Sequence, residues 1–278
     1  MKLTKKNSLF ILQLPPPIHG SSTMGDLIKK NLSNHEEFKI VFINSNNSKK
    51  ISDIGRFNFY KILNYFNLIL KVINNQIFTK NDFCYFSITS TGIAFFKDFL
   101  IGLILKFFNK KIVFHFHNKG ISQYQDKIFY NYCYKFLFSN SSAIILSEHL
   151  RYDIKKYFDK SKIFILPNTI SEQEEIILNL PEKSRVLQTS FLFLSNLIKS
   201  KGIFDLINAC IHLKDKKYNF SVDIVGAEGD VKIVELNSIL KSNNLENIIK
   251  IHGRKIGRYK EKFFLNSDVF IHPTKNDC

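Results

Sequence analysis

Short apolar runs alternate with longer stretches of helical periodicity along this chain, and the whole alternation occurs twice. The runs Leu9–Leu14, Lys39–Ile43, Phe83–Ser87, Lys111–His115, Ala143–Leu146 and Ile163–Leu166 have the length and apolar content of buried strands. Between them, apolar residues recur at helical spacing near Met24–Leu32, Phe57–Ile73, Ile93–Phe108, Gln125–Phe138 and Glu148–Phe158. This order predicts a parallel sheet with helices on both faces. Residues 171–188 are polar, carry Pro181 and read as a linker. The pattern then restarts. Strands are expected at Phe191–Leu194, Ser221–Val225, Ile248–His252 and Val269–His272, and helices at Ile203–Leu213, Val231–Lys241 and Tyr259–Leu265. The expected organisation is one doubly wound α/β domain over 1–170 and a second, incomplete one over 189–278.

Composition narrows the function classes. With 40 basic against 24 acidic residues the chain carries +16. A positive field of that size suits an anionic substrate or an acidic membrane face. The lysines are scattered, with no block of five or six like charges, so much of the excess is read as drift. Nucleic-acid binding is set aside, because no helix-turn-helix, RRM or zinc signature accompanies the charge. The cysteines stand at 84, 133, 210 and 278 without a C-x-x-C pair, which argues against a zinc or redox site and suits a reducing cytosol. Ser8–Leu14 is short and runs into Pro15-Pro16-Pro17, unlike a signal peptide; Phe95–Phe108 is interrupted by Lys97, Asp98 and Lys106, unlike a membrane span.

The chemistry-bearing motifs share one placement, the carboxyl ends of predicted strands, where open α/β sheets hold their ligands. After the first strand comes Pro15-Pro-Pro-Ile-His-Gly-Ser-Ser-Thr23. There Gly20 permits a tight turn, Ser21, Ser22 or Thr23 can cap the next helix, and His19 is expected to project into the crevice. After the fourth comes His115-Phe-His-Asn-Lys-Gly120, whose two histidines point the same way if the strand continues. Each histidine is equally well explained as a buried, hydrogen-bonded group or as a substrate contact; a third metal ligand is not evident. In Phe191-Leu-Phe-Leu-Ser-Asn-Leu-Ile-Lys-Ser-Lys-Gly202 a strand enters a basic turn at a helix start. Free N–H groups, the helix dipole and a lysine are expected to converge there on a phosphate. Val225-Gly226-Ala-Glu-Gly229, His252-Gly253-Arg254 and Pro273-Thr-Lys-Asn-Asp277 end the remaining strands.

With these residues placed, almost the whole chain resembles the family 4 retaining glycosyltransferases, which have the GT-B architecture. The carriers are Phe193–Gly202, Ser147-Glu148, Leu166-Pro-Asn168, Ile224-Val-Gly226, His252-Gly253 and Ser267–Thr274. The resemblance implies two Rossmann-like domains facing across a cleft, with the acceptor bound by the first and a nucleotide-sugar donor by the second. It implies transfer with retention and without a metal or other cofactor. His117, Lys201 and Asp277 take the catalytic positions. Gly20, Asn196, Lys201, Gly202, Gly226, Gly253 and Thr274 are assigned to the donor, and His19 and His115 to the acceptor side. A glycan or lipid-linked acceptor, a role in surface polysaccharide synthesis and a cytoplasmic location follow from the family's common roles. Any membrane contact would be peripheral, at the inner face, through basic and aromatic residues of the first domain.

Two departures stand out. Asn196 occupies the position of an arginine that clamps the pyrophosphate bidentately, so Lys199, or a neutral hydrogen bond from Asn196, has to substitute. The second acid of the family's E-x7-E motif would fall beyond Cys278, Asp277 being the first. A fragment is therefore expected. The competing readings are a catalytically impaired remnant and another GT-B nucleotide-sugar enzyme such as an epimerase.

Overall fold

The computed structural model describes residues 5–46, 59–169 and 188–275. They divide into two compact units, the first ending at Thr169. The linker expected over 171–188 lies outside the described residues except for its last position. No helix among the described residues is long and apolar enough to cross a membrane.

The first unit runs β1 (Lys6–Leu12), α1 (Gly20–Leu32), β2 (Phe38–Asn44), α2 (Phe59–Phe78), β3 (Phe83–Ile88), α3 (Gly92–Phe107), β4 (Ile112–Phe116), α4 (Ile121–Tyr124), α5 (Ile128–Phe138), β5 (Ser142–Ile145), α6 (Arg151–Ile154) and β6 (Ile163–Ile165). The sheet order is β2-β1-β3-β4-β5-β6, every pair parallel. The chain steps outward from β1 to β2, then returns past β1 to β3. Right-handed crossovers therefore put α1 on one face and α2, α3 and α5 on the other. Side-chain alternation agrees. Leu9, Ile11, Phe86, Phe114 and Ile145 join the core with Leu68, Val72, Phe95 and Leu137. Phe10, Leu12, Tyr85 and Val113, on the opposite face, pack with Ile28 and Leu32 of α1.

The second unit runs β7 (Thr189–Leu194), α7 (Ile203–Asp215), β8 (Phe220–Val225), α8 (Ile233–Ser242), β9 (Ile249–Ile251), α9 (Arg258–Asn266) and β10 (Val269–Phe270). Its parallel sheet has the order β10-β7-β8-β9. Phe193, Ile224, Ile207, Leu236 and Leu240 form its core. The α/β class with two separate parallel sheets is thus as expected.

Several local expectations differ. β1 begins at Lys6, because pairing with Phe38 draws the polar residues ahead of the apolar run into the ladder. The helix expected over Gln125–Phe138 is split: Lys127 is extended, with φ −77° and ψ 116°, between α4 and α5. The helix expected over Glu148–Phe158 shrinks to a 3-10 turn at Glu148–Leu150 and the single turn α6. There Asp153 is turned inward. Its carboxylate accepts from the backbone N–H groups of Gly120 (2.9 Å), Ile121 (3.2 Å) and Ser122 (2.9 Å) and from the Ser122 hydroxyl (2.7 Å). This anion fixes the loop after β4 from inside.

Asp153→Ala removes the acceptor and leaves those donors without their partner. Loss of about 2–4 kcal/mol is expected, read as a lower urea midpoint, with Asp153→Asn losing less. An unchanged midpoint would show that the anchor is dispensable.

Candidate functional site

In the first unit the strand order reverses between β1 and β3, so the crevice at the carboxyl ends opens there. Residues that follow β1, β3 and β4 surround it. Ser90 and Asn118 tie two of these loops: the Ser90 N–H donates to Asn118 Oδ1 (3.2 Å) and its hydroxyl to the Asn118 carbonyl (2.9 Å). Tyr134 Oη donates to the Ser90 carbonyl (2.6 Å).

His19 caps α1, which starts four residues earlier than the sequence indicates. Its Nδ1 accepts from the Ser22 N–H (3.4 Å), and Ser22 Oγ accepts from the His19 N–H (2.9 Å). Ser22 Oγ also donates to the Pro17 carbonyl (2.7 Å). A capping box thus replaces the expected serine or threonine cap, and it turns one nitrogen of His19 toward its own helix. Among the described residues no atom beyond its chain neighbours and its own helix lies within 4 Å of where a Cβ on residue 20 would stand, so there is open space at the helix start.

His115 and His117 share the sheet face that α1 covers, their ring centroids 4.0 Å apart. His115 is buried, and its Nδ1 is hydrogen-bonded to the Tyr85 hydroxyl. Burial, then the neighbouring His117, pushes its imidazole down to about 3. Its Nε2 is buried without a hydrogen-bond partner among the described residues, so the hydrogen-bonded reading describes one ring nitrogen of His115 and not the other. His117 differs. Both ring nitrogens are buried, and neither has a hydrogen-bond partner among the described residues. Burial, then His19, pushes it down to about 4, so it is a neutral imidazole with a donor and an acceptor unused. His19 is also lowered by burial, opposed by a hydrogen bond with Asn46. Among the described residues no group of three or more His, Cys, Asp or Glu is placed to hold a metal.

In the second unit the order reverses between β7 and β10, which brings the segment after Leu194 beside the segment after Phe270. Lys199–Lys201 form a 3-10 turn, and Gly202 leads into α7 with φ +79°. Three N–H groups of this segment are already bonded. Lys199 N–H donates to Asp230 Oδ1 (3.0 Å), Lys201 N–H to the Ile198 carbonyl (2.9 Å) and Gly202 N–H to the Lys199 carbonyl (3.0 Å). The N–H groups of Lys199, Lys201 and Gly202 are therefore already bonded and are not among the expected free ones. Lys201 is half-buried and Lys199 exposed.

The segment after β10 lies on this turn. Lys275 N–H donates to the Ser200 carbonyl (2.9 Å), Thr274 Oγ1 lies 3.4 Å from the same oxygen, and Lys275 Nζ pairs with Asp205 at 3.0 Å. A Cβ on residue 202 would sit 2.0 Å from the Pro273 carbonyl oxygen, so both the positive φ and the close approach require glycine. Gly226 has a related role. A Cβ there would lie 1.7 Å from the Ser195 carbonyl oxygen, where the loop after β7 crosses it. Loop crossing alone accounts for that glycine. The Gly226 N–H donates to the Gly253 carbonyl (3.0 Å), joining the loops after β8 and β9. Asn196 is half-buried in the crossing loop. Asp277 lies outside the described residues.

The sequence does not reveal the roles of Asp153, Ser90 and Asn118, which hold the first site's loops, or of Tyr85, which is bonded to His115. His252, a strand end and a carrier of the family resemblance, has its Nε2 2.6 Å from Asp223 Oδ1 on the neighbouring strand.

Residues 178–277 match the model of the family described as glycosyl transferases group 1. No curated protein matches the chain. Among solved structures, similarity extends over nearly the whole chain. A glycosyltransferase from Rickettsia africae is 17% identical with a TM-score of 0.59, covering 97% of this chain and 73% of that one. HepE from Anabaena, in complex with UDP and glucose, is 15% identical with a TM-score of 0.60, covering 96% and 74%. An α,α-trehalose 6-phosphate synthase from Burkholderia multivorans is 9% identical with a TM-score of 0.61, covering 99% and 79%. At these identities the likeness is one of fold, the GT-B class.

The histidine pair makes stability depend on pH. An unfolded imidazole titrates near 6.5, whereas His117 and His115 take up protons only near 4 and 3. Between those values the unfolded chain binds more protons, so their stability contribution is complete above pH 6.5 and declines as pH falls toward 4. Urea midpoints across that window should fall less steeply in a His115→Gln/His117→Gln variant; equal slopes would refute the buried, neutral assignment. Gly202→Ala should destabilise the second unit by about 2 kcal/mol or more through its clash and its left-handed backbone. An unaltered midpoint would mean that the segment after β10 does not press on the turn.

Proposed function

We propose that the chain is a glycosyltransferase that moves a sugar from a nucleotide-sugar donor to a saccharide or lipid-linked acceptor, with retention at the anomeric carbon. The observation that carries this reading is the stitched turn at the β7/β10 reversal, where Lys201 and Gly202 sit at the start of α7 inside the segment matching the group 1 family. The assigned role is surface polysaccharide synthesis, in the cytoplasm at the inner face of the membrane.

In such a transfer the bond between the anomeric carbon and the β-phosphate oxygen breaks, and its electron pair stays on the phosphate. Negative charge grows there while the sugar ring becomes cationic. Lys201 and the first-turn N–H groups of α7 are suited to stabilise that oxygen. The acceptor hydroxyl forms the new bond from the side the leaving group occupied, and its proton passes to the departing phosphate. Retention then depends on positioning more than on a protein base. His117, neutral and with two unused nitrogens, is suited to hydrogen-bond a sugar hydroxyl without adding positive charge beside the ring. Thr274, bound to the same turn as Lys201, serves the donor side. Asp277 keeps the role that the family resemblance gives it.

A uridine nucleotide is the first ligand to test, since HepE was solved with UDP and glucose. Isothermal titration with UDP, GDP and their sugars should show binding to the chain. Lys201→Ala should weaken it about tenfold or more at an unchanged melting temperature. Absence of nucleotide binding at millimolar ligand would favour an impaired remnant, and full binding by the variant would remove Lys201 from the site.

A further inference from the structure

A cavity of about 420 Å³ lies at the carboxyl end of β2, at the same end of the sheet as the crevice but one strand outward. Small-molecule sites span about 300–1,000 Å³, so it has room for a sugar-sized ligand. Lys29 of α1 and Lys71 of α2 reach it from helices on opposite faces of the sheet. Neither ammonium has an ion-pair partner among the described residues, whereas Lys30, the next residue of α1, is paired with Asp26 at 2.9 Å. No acidic residue among the described ones lines the cavity. Asparagines complete its polar wall. Asn64 and Asn67 stand at three- and four-residue spacing from each other and from Lys71, so the three share one polar stripe of a largely apolar helix. Asn44 Oδ1 is already occupied, accepting from the N–H groups of Leu14 (3.0 Å) and Asn46 (2.9 Å), which leaves its NH₂ for a ligand. Asn46 donates through Nδ2 to the Leu14 carbonyl (2.8 Å) and is hydrogen-bonded to His19, so the cavity adjoins the histidines of the crevice.

We propose that this cavity binds a phosphate monoester: a sugar, or another small alcohol, that carries one phosphate group. Two ammonium groups on facing walls match the two negative charges of a phosphate near neutral pH, whereas a carboxylate would leave one of them unmatched. Lysine meets phosphate as a point charge and needs no fixed fork geometry, and the Asn44 NH₂ adds a directional donor. Leu14, Phe42 and Leu68 form an apolar wall for the carbon skeleton of the ligand. The site is separate from the donor turn at Lys201, which belongs to the second unit. Binding of the phosphate stands without the transferase reading; the identification of this ligand as the sugar acceptor rests on that reading.

The test is isothermal titration of the full chain with glucose 1-phosphate, and with glucose and glucuronate alongside. The sugar phosphate is expected to bind, less tightly as salt rises, and the other two about tenfold or more weakly than it. Lys29→Gln/Lys71→Gln should weaken binding of the sugar phosphate about tenfold or more. Asn67→Asp, which sets a carboxylate in the wall, should weaken it to a similar degree. The three replaced side chains are exposed, and circular dichroism melting checks that both variants fold. Absence of binding by the parent chain at millimolar sugar phosphate would overturn the inference. Unchanged binding by the lysine variant would also overturn it, by placing the phosphate elsewhere. Glucuronate bound as tightly as the sugar phosphate would refute the preference for phosphate. Titration of the parent with UDP reads the transferase proposal separately. A chain that binds no UDP, yet binds the sugar phosphate through Lys29 and Lys71, would keep the site and lose its identification with the acceptor.

Discussion

Parallel strand pairing with a fixed crossover hand is the constraint on which both candidate sites depend. A parallel connection must return the chain to the same end of the sheet, so all loops that follow strands gather there. A gap between them opens only where the strand order reverses. In the first unit that is between β1 and β3, and in the second between β7 and β10. His19 and Gly20 follow β1; Lys201 and Thr274 follow the two strands that flank the second reversal.

Placement alone does not make a site; the loops must also be held. The two units solve this differently. The first uses side chains: Asp153 holds the loop after β4, and Ser90 with Asn118 joins it to the loop after β3. The second adds close backbone-against-backbone crossings to its side-chain ties. Gly202 admits the Pro273 carbonyl and Gly226 admits that of Ser195, at distances no Cβ would tolerate. Glycine there is a condition for loops to cross. A site held this way keeps its shape before any ligand arrives, which lowers the ordering cost of binding.

Much of the fold was legible because the strands are short apolar runs and the helices carry a clear apolar period. What misled the reading was local. The extended backbone at Lys127 and the shortened helix at Arg151–Ile154 reflect contacts with distant segments, which periodicity does not encode. For the candidate site, the sequence showed which residues stand at strand ends but not what each touches. The sequence placed His19, His115 and His117 at strand ends without showing what each touches. In the structure one is a helix cap, one is bound to Tyr85, and one has both nitrogens buried without a partner.

The sequence by itself determined the alternation of strand and helix, the restart of that pattern, and the basic Lys199–Lys201 turn ahead of Gly202, because these are properties of neighbouring residues. Only the tertiary structure decided the strand order, the partners of the turn's N–H groups, and that His117 has both ring nitrogens buried without a partner. Those depend on residues far apart in the chain: a carboxylate at Asp153, a hydroxyl at Tyr85, a carbonyl at Pro273. Burial and hydrogen-bond partnership are set by what packs alongside, and that is fixed only when the sheet closes.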